Sequence, residues 1–284
     1  MLTVLEIIKR TTDFFAAKGL ENPRLNAELL IGHALGLKRM QLYLQFERPL
    51  AEPELEKIRP LVRRRGQHEP VQYVTGETEF CGLTLATDRR ALIPRPETEL
   101  LVELTLQRLG TSAPATILDL GTGSGAIALA LAKAFPAAAA TGVDQSADAL
   151  ALAAENAKRC GLEPRVAWLR SDWFAAIAPE ATFDLIVSNP PYLTAAETAE
   201  TAPEVKGFEP LAALTGSGED GSGDLAEIFR GAKARLAPGG LLAVETGIAQ
   251  HPALVALAGS LGFTAIESAQ DFTKRDRFVF ARQP

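Results

Sequence analysis

Apolar residues in the first part of the chain recur at helical spacing. Leu5, Ile7, Ile8, Phe14 and Phe15 follow a period near 3.6. The stretch "NPRLNAELLIGHALGL" opens on an Asn-Pro start signal, and "AEPELEKIRPLVRRRG" ends on Gly66 after a basic last turn. Residues 3 to about 66 therefore read as helices packed on each other. From Pro70 to Ile93 the chain turns to β-branched and aromatic residues, with Gly76 and Gly82 as breakers. That change predicts a small hairpin, with a domain boundary in it or just after it.

From about Thr98 the pattern alternates between two periods. The helix "TELLVELTLQRL" precedes the strand "ATILDL". A glycine-rich turn, the helix "AIALALAKAF", the strand "AAATGVD" and the helix "SADALALAAENAKRCG" follow, and then the strands "RVAWLRS" and "FDLIVSN". The helix "LAEIFRGAKARL", the strand "GGLLAVETG", another helix and a final "RDRFVFAR" complete the region. Strands separated by helices of this length imply parallel pairing in a sheet covered on both faces. The loop "TGSGEDGSGD" reads as a flexible linker, and no internal repeat is found.

Composition narrows the class. A 284-residue chain with 47% hydrophobic and 23% charged residues is ordinary for a soluble globular protein with a sizeable core. The net charge of −6 argues against affinity built on general phosphate neutralisation. Arg63, Arg64 and Arg65 are the main basic cluster, read as a solvated helix end. Cys81 and Cys160 sit at no metal-ligand spacing and the histidines are His33, His68 and His251, so no metal site is expected. Two free thiols fit a reducing cytosol. "MLTVLEIIKRTTDFF" lacks the apolar core of a signal peptide, and no segment approaches a membrane span, so a cytoplasmic protein is expected.

"DLGTGSGA", Asp119 to Ala126, lies between a strand and a helix, so its backbone N–H groups can face a ligand at the helix N-terminus. Gly121, Gly123 and Ala126 loosely satisfy a dinucleotide fingerprint, with Asp144 at about the usual spacing. A nicotinamide dehydrogenase is thus one reading. S-adenosylmethionine is favoured by two features. Asp119 would repel a pyrophosphate but suits a sulfonium ligand bearing an ammonium group, and the third glycine falls at Gly125, giving G-x-G-x-G. Asp144, ending the second strand, can accept from both ribose hydroxyls or can cap the helix "SADAL". Asp172 can accept from an adenine amine, while Trp173 is either a wall for the purine or a core residue.

"SNPPYL", Ser188 to Leu193, follows the apolar run "FDLIV". It is either a plain strand-to-loop turn or a site at the carboxyl edge of the sheet, beside the glycine turn. In the second reading the Asn189 oxygen and the Pro190 carbonyl each accept one hydrogen of a planar –NH2 group, and Tyr192 stacks against the π-system carrying it. Such a nitrogen is a poor nucleophile, so catalysis would come from positioning, with no strong base.

With these motifs in hand, the chain resembles the bacterial release factor glutamine methyltransferase family (PrmC/HemK). "NPPY" also occurs in adenine exocyclic-amine methyltransferases. The resemblance rests on "ALIPRPETELLVE", "ILDLGTGSGAIALALA", "SDWF", "SNPPYL", "FEPLAAL" and "ETG", in that order, and on the segment "EPVQYVTGETEFCGL". It implies a Rossmann-like class I methyltransferase domain of the α/β class over residues 94–284, with a mostly parallel seven-stranded sheet and helices on both faces. It also implies a helical substrate-docking domain over 1–69 and a β-hairpin linker over 70–93. The implied reaction is methylation of the glutamine side-chain nitrogen in the Gly-Gly-Gln motif of class-1 peptide chain release factors. S-adenosyl-L-methionine would be the donor and S-adenosyl-L-homocysteine the product, with neither nucleic acid nor membrane as partner.

By the same resemblance Gly121, Thr122, Gly123, Ser124, Gly125, Asp144, Trp173 and Asn189 would bind the donor, joined by Asp119 and Asp172 from the reading of charge and hydrogen-bonding capacity above. Asn189, Pro190, Pro191 and Tyr192 would hold the glutamine, with Asn189, Pro190 and Tyr192 catalytic, and Arg95, Pro96 and Thr98 would line the mouth. One departure is visible: where family members tend to carry Gly-Leu after "DG", this chain reads "EDGSGDL", a longer loop. An adenine methyltransferase is opposed by the net acidity and by the lack of a basic, aromatic-interleaved segment. A hydride transfer has no need of "NPPY", and a module binding the donor only as a structural ligand would be expected to lose Asn189 or the glycines.

Overall fold

The computed structural model describes residues 2–284. They divide into two compact units, one made of residues up to Glu77 together with Ala202–Phe208, the other of Thr78–Thr201 and Glu209–Pro284.

The first unit is helical: α1 (Val4–Ala17), α2 (Pro23–Leu35), α3 (Arg39–Tyr43), α4 (Glu52–Arg65), α5 (Val71–Thr75) and, later in the chain, α10 (Pro203–Lys206). Thr3 starts α1 with a reciprocal cap, its hydroxyl accepting from Glu6 N at 3.3 Å while the Glu6 carboxylate accepts from Thr3 N at 2.8 Å. The buried stripe of α1 is Val4, Ile8, Thr11 and Phe15, whereas Leu5 and Phe14 are 44% and 40% exposed. These inward side chains meet Leu30, Ile31, Leu42, Leu50, Ile58 and Val74 in one core.

Two expectations fail in this unit. Val71–Thr75, read as part of a hairpin, is a short helix ended by Gly76 in the left-handed region. Four β-prone residues in a stretch of five are too few for propensity to prevail over packing, and Val74 faces the core. Nor is the basic cluster wholly a solvated end, although Arg63 is exposed. Arg65 is 3% exposed, with Nη2 on Glu204 at 2.5 Å and Nε on Asn26 at 2.7 Å, and Arg64 pairs with Glu69. A charge this buried is retained only with partners, and those partners are remote in sequence.

The second unit opens with a two-stranded sheet, β1 (Glu77–Phe80) and β2 (Leu83–Ala86). Then come α6 (Pro96–Leu109), β3 (Thr116–Leu120), α7 (Ala126–Ala134), β4 (Ala139–Asp144), α8 (Ala147–Arg159), β5 (Val166–Arg170) and β6 (Phe183–Ser188). After α9 (Ala195–Glu200) follow α11 (Gly223–Arg235), β7 (Leu236–Glu245), α12 (His251–Ser260), β8 (Thr264–Gln270) and β9 (Asp276–Arg282). The main sheet has seven strands in the order β5-β4-β3-β6-β7-β9-β8, parallel except at β9, which runs antiparallel to both neighbours.

Period-2 alternation sorts the strand residues between two cores. Leu185, Val187, Leu241, Ala243, Phe278 and Phe280 face the layer of α6 and α7. Ile186, Leu242, Val244, Val279 and Ala281 face Leu225, Ile228, Phe229 and Leu254 of α11 and α12. Burial on both faces explains why "FDLIV" reads as a continuous apolar run. The mostly parallel, helix-covered sheet expected from the sequence is thus present. The edge strand β8 carries no fully buried residue, so its sequence gave no strand signal.

The order of the sheet fixes where a ligand can sit. From β3 the chain steps outward to β4 and β5, then returns to the other side at β6, so the carboxyl ends of β3 and β6 flank a topological switch point. Ser188 ties the two ends together, its hydroxyl donating to Leu120 O at 2.7 Å.

Candidate functional site

The turn after β3 is built around Asp119. Its Oδ2 accepts from the Thr122 hydroxyl at 2.6 Å and from Ala128 N at 3.1 Å, which holds the turn against the first helical residues of α7. Gly125 is the N-cap of α7 at φ 81°, and an added Cβ would lie 2.9 Å from the Trp168 ring and 3.1 Å from Ala153 Cβ. Only glycine meets both demands. Asn156, fully buried on α8, pins the turn from the far side by donating to Ser124 O at 3.0 Å and to Ala86 O at 3.2 Å.

Facing this turn, Asp144 ends β4. Its Oδ2 accepts from Gly123 N and its Oδ1 from Ser146 N, each at 2.9 Å, so each oxygen keeps a lone pair for another donor. Burial pushes its carboxyl above the usual aspartate value. Asp172 is exposed beyond β5. Trp173 packs over Gly121, where an added Cβ would approach the ring to 3.4 Å, and its side chain also touches the core of α11.

Beyond β6, Asn189 Nδ2 donates to the Thr98 hydroxyl at 2.9 Å, and that hydroxyl in turn donates to Glu245 Oε2 at 2.9 Å. The Tyr192 hydroxyl donates to Glu245 Oε1 at 3.3 Å, while the Arg277 guanidinium lies 5.1 Å from the Tyr192 ring centroid. Glu245 is 2% exposed, and its burial pushes its carboxyl up to about 7. At the rim, Glu209 accepts from Ile93 N at 3.0 Å and pairs with Arg95. The 216–224 loop, expected to be flexible, is tied down. Gln250 Nε2 donates to Tyr192 O at 3.0 Å and to Asp220 O at 2.5 Å, and Asp224 Oδ2 accepts from Ser217 N at 2.7 Å.

These elements enclose a cavity of about 640 Å³. Of the residues expected at the site, Gly121, Thr122, Gly123, Ser124, Asp144, Asp172, Trp173, Asn189, Pro191, Arg95 and Thr98 line it. Five do not. Asp119 is fully buried beneath the turn, Gly125 faces Trp168, and Pro190 is buried. Pro96 opens α6, and Tyr192 is engaged by Glu245 and Arg277. Glu245, Glu209, Asp224, Gln250 and Asn156 hold the site's elements in place at positions that no spacing rule identified. Glu245 and Glu209 lay inside quoted motifs, yet their partners come from distant segments.

The electrostatics select the kind of ligand. The two cationic residues on the wall are committed, Arg90 to Asp88 and Glu155, Arg95 to Glu209. Asp144, Asp172 and Asp224 line the same cavity, and Asp119 Oδ1 beneath it has no hydrogen-bond partner. A cationic ligand rich in donors fits this wall better than a pyrophosphate. Among the described residues no group of three or more His, Cys, Asp or Glu is arranged to hold a metal, and no helix is long and apolar enough to cross a membrane.

Comparison with known proteins agrees with this geometry. The family described as the PrmC N-terminal domain matches residues 6–76, and the methyltransferase small domain matches residues 97–205. A release factor glutamine methyltransferase of Chlorobaculum tepidum is 44% identical over 283 residues, covering 97% of this chain and 95% of that protein. One from Geobacter sulfurreducens is 44% identical, covering 99% of this chain and 96% of that protein. A solved T. Thermophilus 16S rRNA methyltransferase in complex with AdoMet and guanosine aligns with a TM-score of 0.54 at 23% identity, over 73% of this chain and 50% of that one, a likeness of fold. The cavity at the switch point, the domain matches and the near full-length relatives lead to one assignment: this chain is an enzyme of the release factor glutamine methyltransferase family, on a Rossmann-like class I methyltransferase fold.

Proposed function

We propose that this enzyme methylates the side-chain nitrogen (N5) of the glutamine in the Gly-Gly-Gln motif of class-1 peptide chain release factors, using S-adenosyl-L-methionine and releasing S-adenosyl-L-homocysteine. The carrying observation is the orientation of Asn189. It lines the cavity and commits its –NH2 to Thr98, which leaves its oxygen to accept a hydrogen from an incoming amide. The donor's fit rests on the carboxylates of the wall, which suit its ammonium and ribose hydroxyls, and on the Trp173 ring, which offers the purine an apolar face.

The sulfonium donor supplies an electrophilic methyl group. Asn189 Oδ1 and the Pro190 carbonyl oxygen accept the two hydrogens of the glutamine –NH2 and turn its lone pair toward that methyl. Positive charge developing on nitrogen is met by the same two oxygens, and the departing proton passes to water. Arg95 bounds the entry, the buried Thr98 holds Asn189 from behind, and the helical first unit supplies the surface that docks the release factor. The test offers methyl-labelled donor with purified release factor and, in parallel, duplex DNA. Label in the protein is expected, whereas label in adenine would overturn the choice of substrate.

A further inference from the structure

We infer that Glu245 is a positioning residue that acts through Thr98 to turn the Asn189 oxygen toward the substrate amide. The inference rests on the proposed role of Asn189 and deepens it. The number of hydrogens on each group fixes the direction of each bond. The Thr98 hydroxyl has one, and an ionised Glu245 Oε2 at 2.9 Å can only accept it. Thr98 Oγ1 is then an acceptor toward Asn189, so at 2.9 Å it must face Nδ2 and not Oδ1. The orientation of the Asn189 amide is set by a carboxylate that does not line the cavity. The second oxygen of Glu245 accepts from Tyr192 at 3.3 Å, so one buried carboxylate holds both polar side chains of the "NPPY" segment.

Protonation reverses the chain of donors. The groups facing Glu245 are Arg277 from β9, Thr98 and Glu97 from α6, and Tyr192, with burial and Glu97 raising its pKa to about 7 against Thr98, Arg277 and Tyr192. A protonated Glu245 can donate to Thr98, whose hydrogen then turns toward Asn189 and draws in Oδ1. The cavity would then be met by the Asn189 –NH2, a donor opposite the donor of the substrate. Transfer should therefore rise with pH as Glu245 ionises.

The experiment compares Thr98→Val, Thr98→Ser and Glu245→Gln with the parent enzyme, in single-turnover transfer to a Gly-Gly-Gln peptide at saturating donor. Donor affinity is measured alongside by calorimetry. Thr98→Val is expected to slow transfer about 100-fold with donor Kd changed by about twofold or less, and Thr98→Ser to restore the rate to within about threefold. The parent rate should rise with pH through about 7, and Glu245→Gln should lose that rise. A Thr98→Val enzyme at parental rate, equal impairment of the Val and Ser variants, or a pH rise kept in Glu245→Gln would each overturn the inference. Should Glu245→Gln fail to fold, the Thr98 pair still decides. A parent enzyme that transfers to no glutamine peptide would instead overturn the proposed function.

Discussion

Trp173 Nε1 donates to Asp224 Oδ1 at 3.3 Å, while the other oxygen of the same carboxylate accepts from Ser217 N at 2.7 Å. One side chain at the start of α11 thereby joins the aromatic wall after β5 to the loop that closes the cavity. Trp173 itself sits at φ 40°, a left-handed conformation that a bulky residue adopts only when its surroundings hold it there.

Removing the Asp224 carboxylate should therefore loosen both walls at once. Asp224→Ala is expected to weaken donor binding about tenfold, the effect of roughly 1 to 2 kcal/mol of lost hydrogen bonding. Calorimetric titration of the donor checks this. An unchanged Kd would mean that packing over Gly121 alone fixes the ring.

Gly125 is a stricter position. Gly125→Ala combines a left-handed backbone with a Cβ 2.9 Å from the Trp168 ring and 3.1 Å from Ala153. A loss of about 2 to 4 kcal/mol in unfolding free energy is expected, together with a lower donor affinity, because α7 and the turn must shift. Denaturant unfolding with and without donor measures both, and a parental midpoint would contradict the packing described.

Asn189→Ala removes the oxygen assigned to the glutamine amide while leaving the glycine turn intact. Its single-turnover rate is expected to fall about 100- to 1000-fold, with donor Kd changed far less. A variant that transfers at the parental rate would remove Asn189 from the reaction.

Asp119 gives a test of stability against pH. Burial and the nearby Asp144 push its carboxyl from an ordinary 3.8 up to about 7 in the fold. In the unfolded chain it ionises near 3.8, so between about pH 4 and pH 7 the native state holds more protons and stability falls as pH rises. Asp119→Asn keeps an oxygen for Thr122 and Ala128 but cannot ionise. Relative to the parent, its unfolding free energy should improve from about pH 5 to about pH 8. A difference independent of pH would show that Asp119 does not titrate in that window.

What could be read in advance was local. "FDLIV" and "DLGTGSGA" declare a buried strand and a glycine turn because the cause lies in adjacent residues. The strand "TAIESAQ" was silent because an exposed edge needs no apolar face. The link from Thr98 to Glu245 spans 147 positions, and Arg65 meets Glu204 across 139, so no spacing rule joins them. The loop at 216–224 looked flexible from its glycines, yet Gly221 packs so closely on the Tyr192 carbonyl that an added Cβ would lie 2.5 Å away. Glycine content permits mobility and close approach equally, and only the fold chooses between them.

The most direct measurement is peptide mapping by mass spectrometry of an unmethylated class-1 release factor after incubation with this enzyme and S-adenosyl-L-methionine. One methyl group on the side-chain nitrogen of the Gly-Gly-Gln glutamine is the result expected. A release factor left unmodified, or methylated at any other residue, would contradict the account.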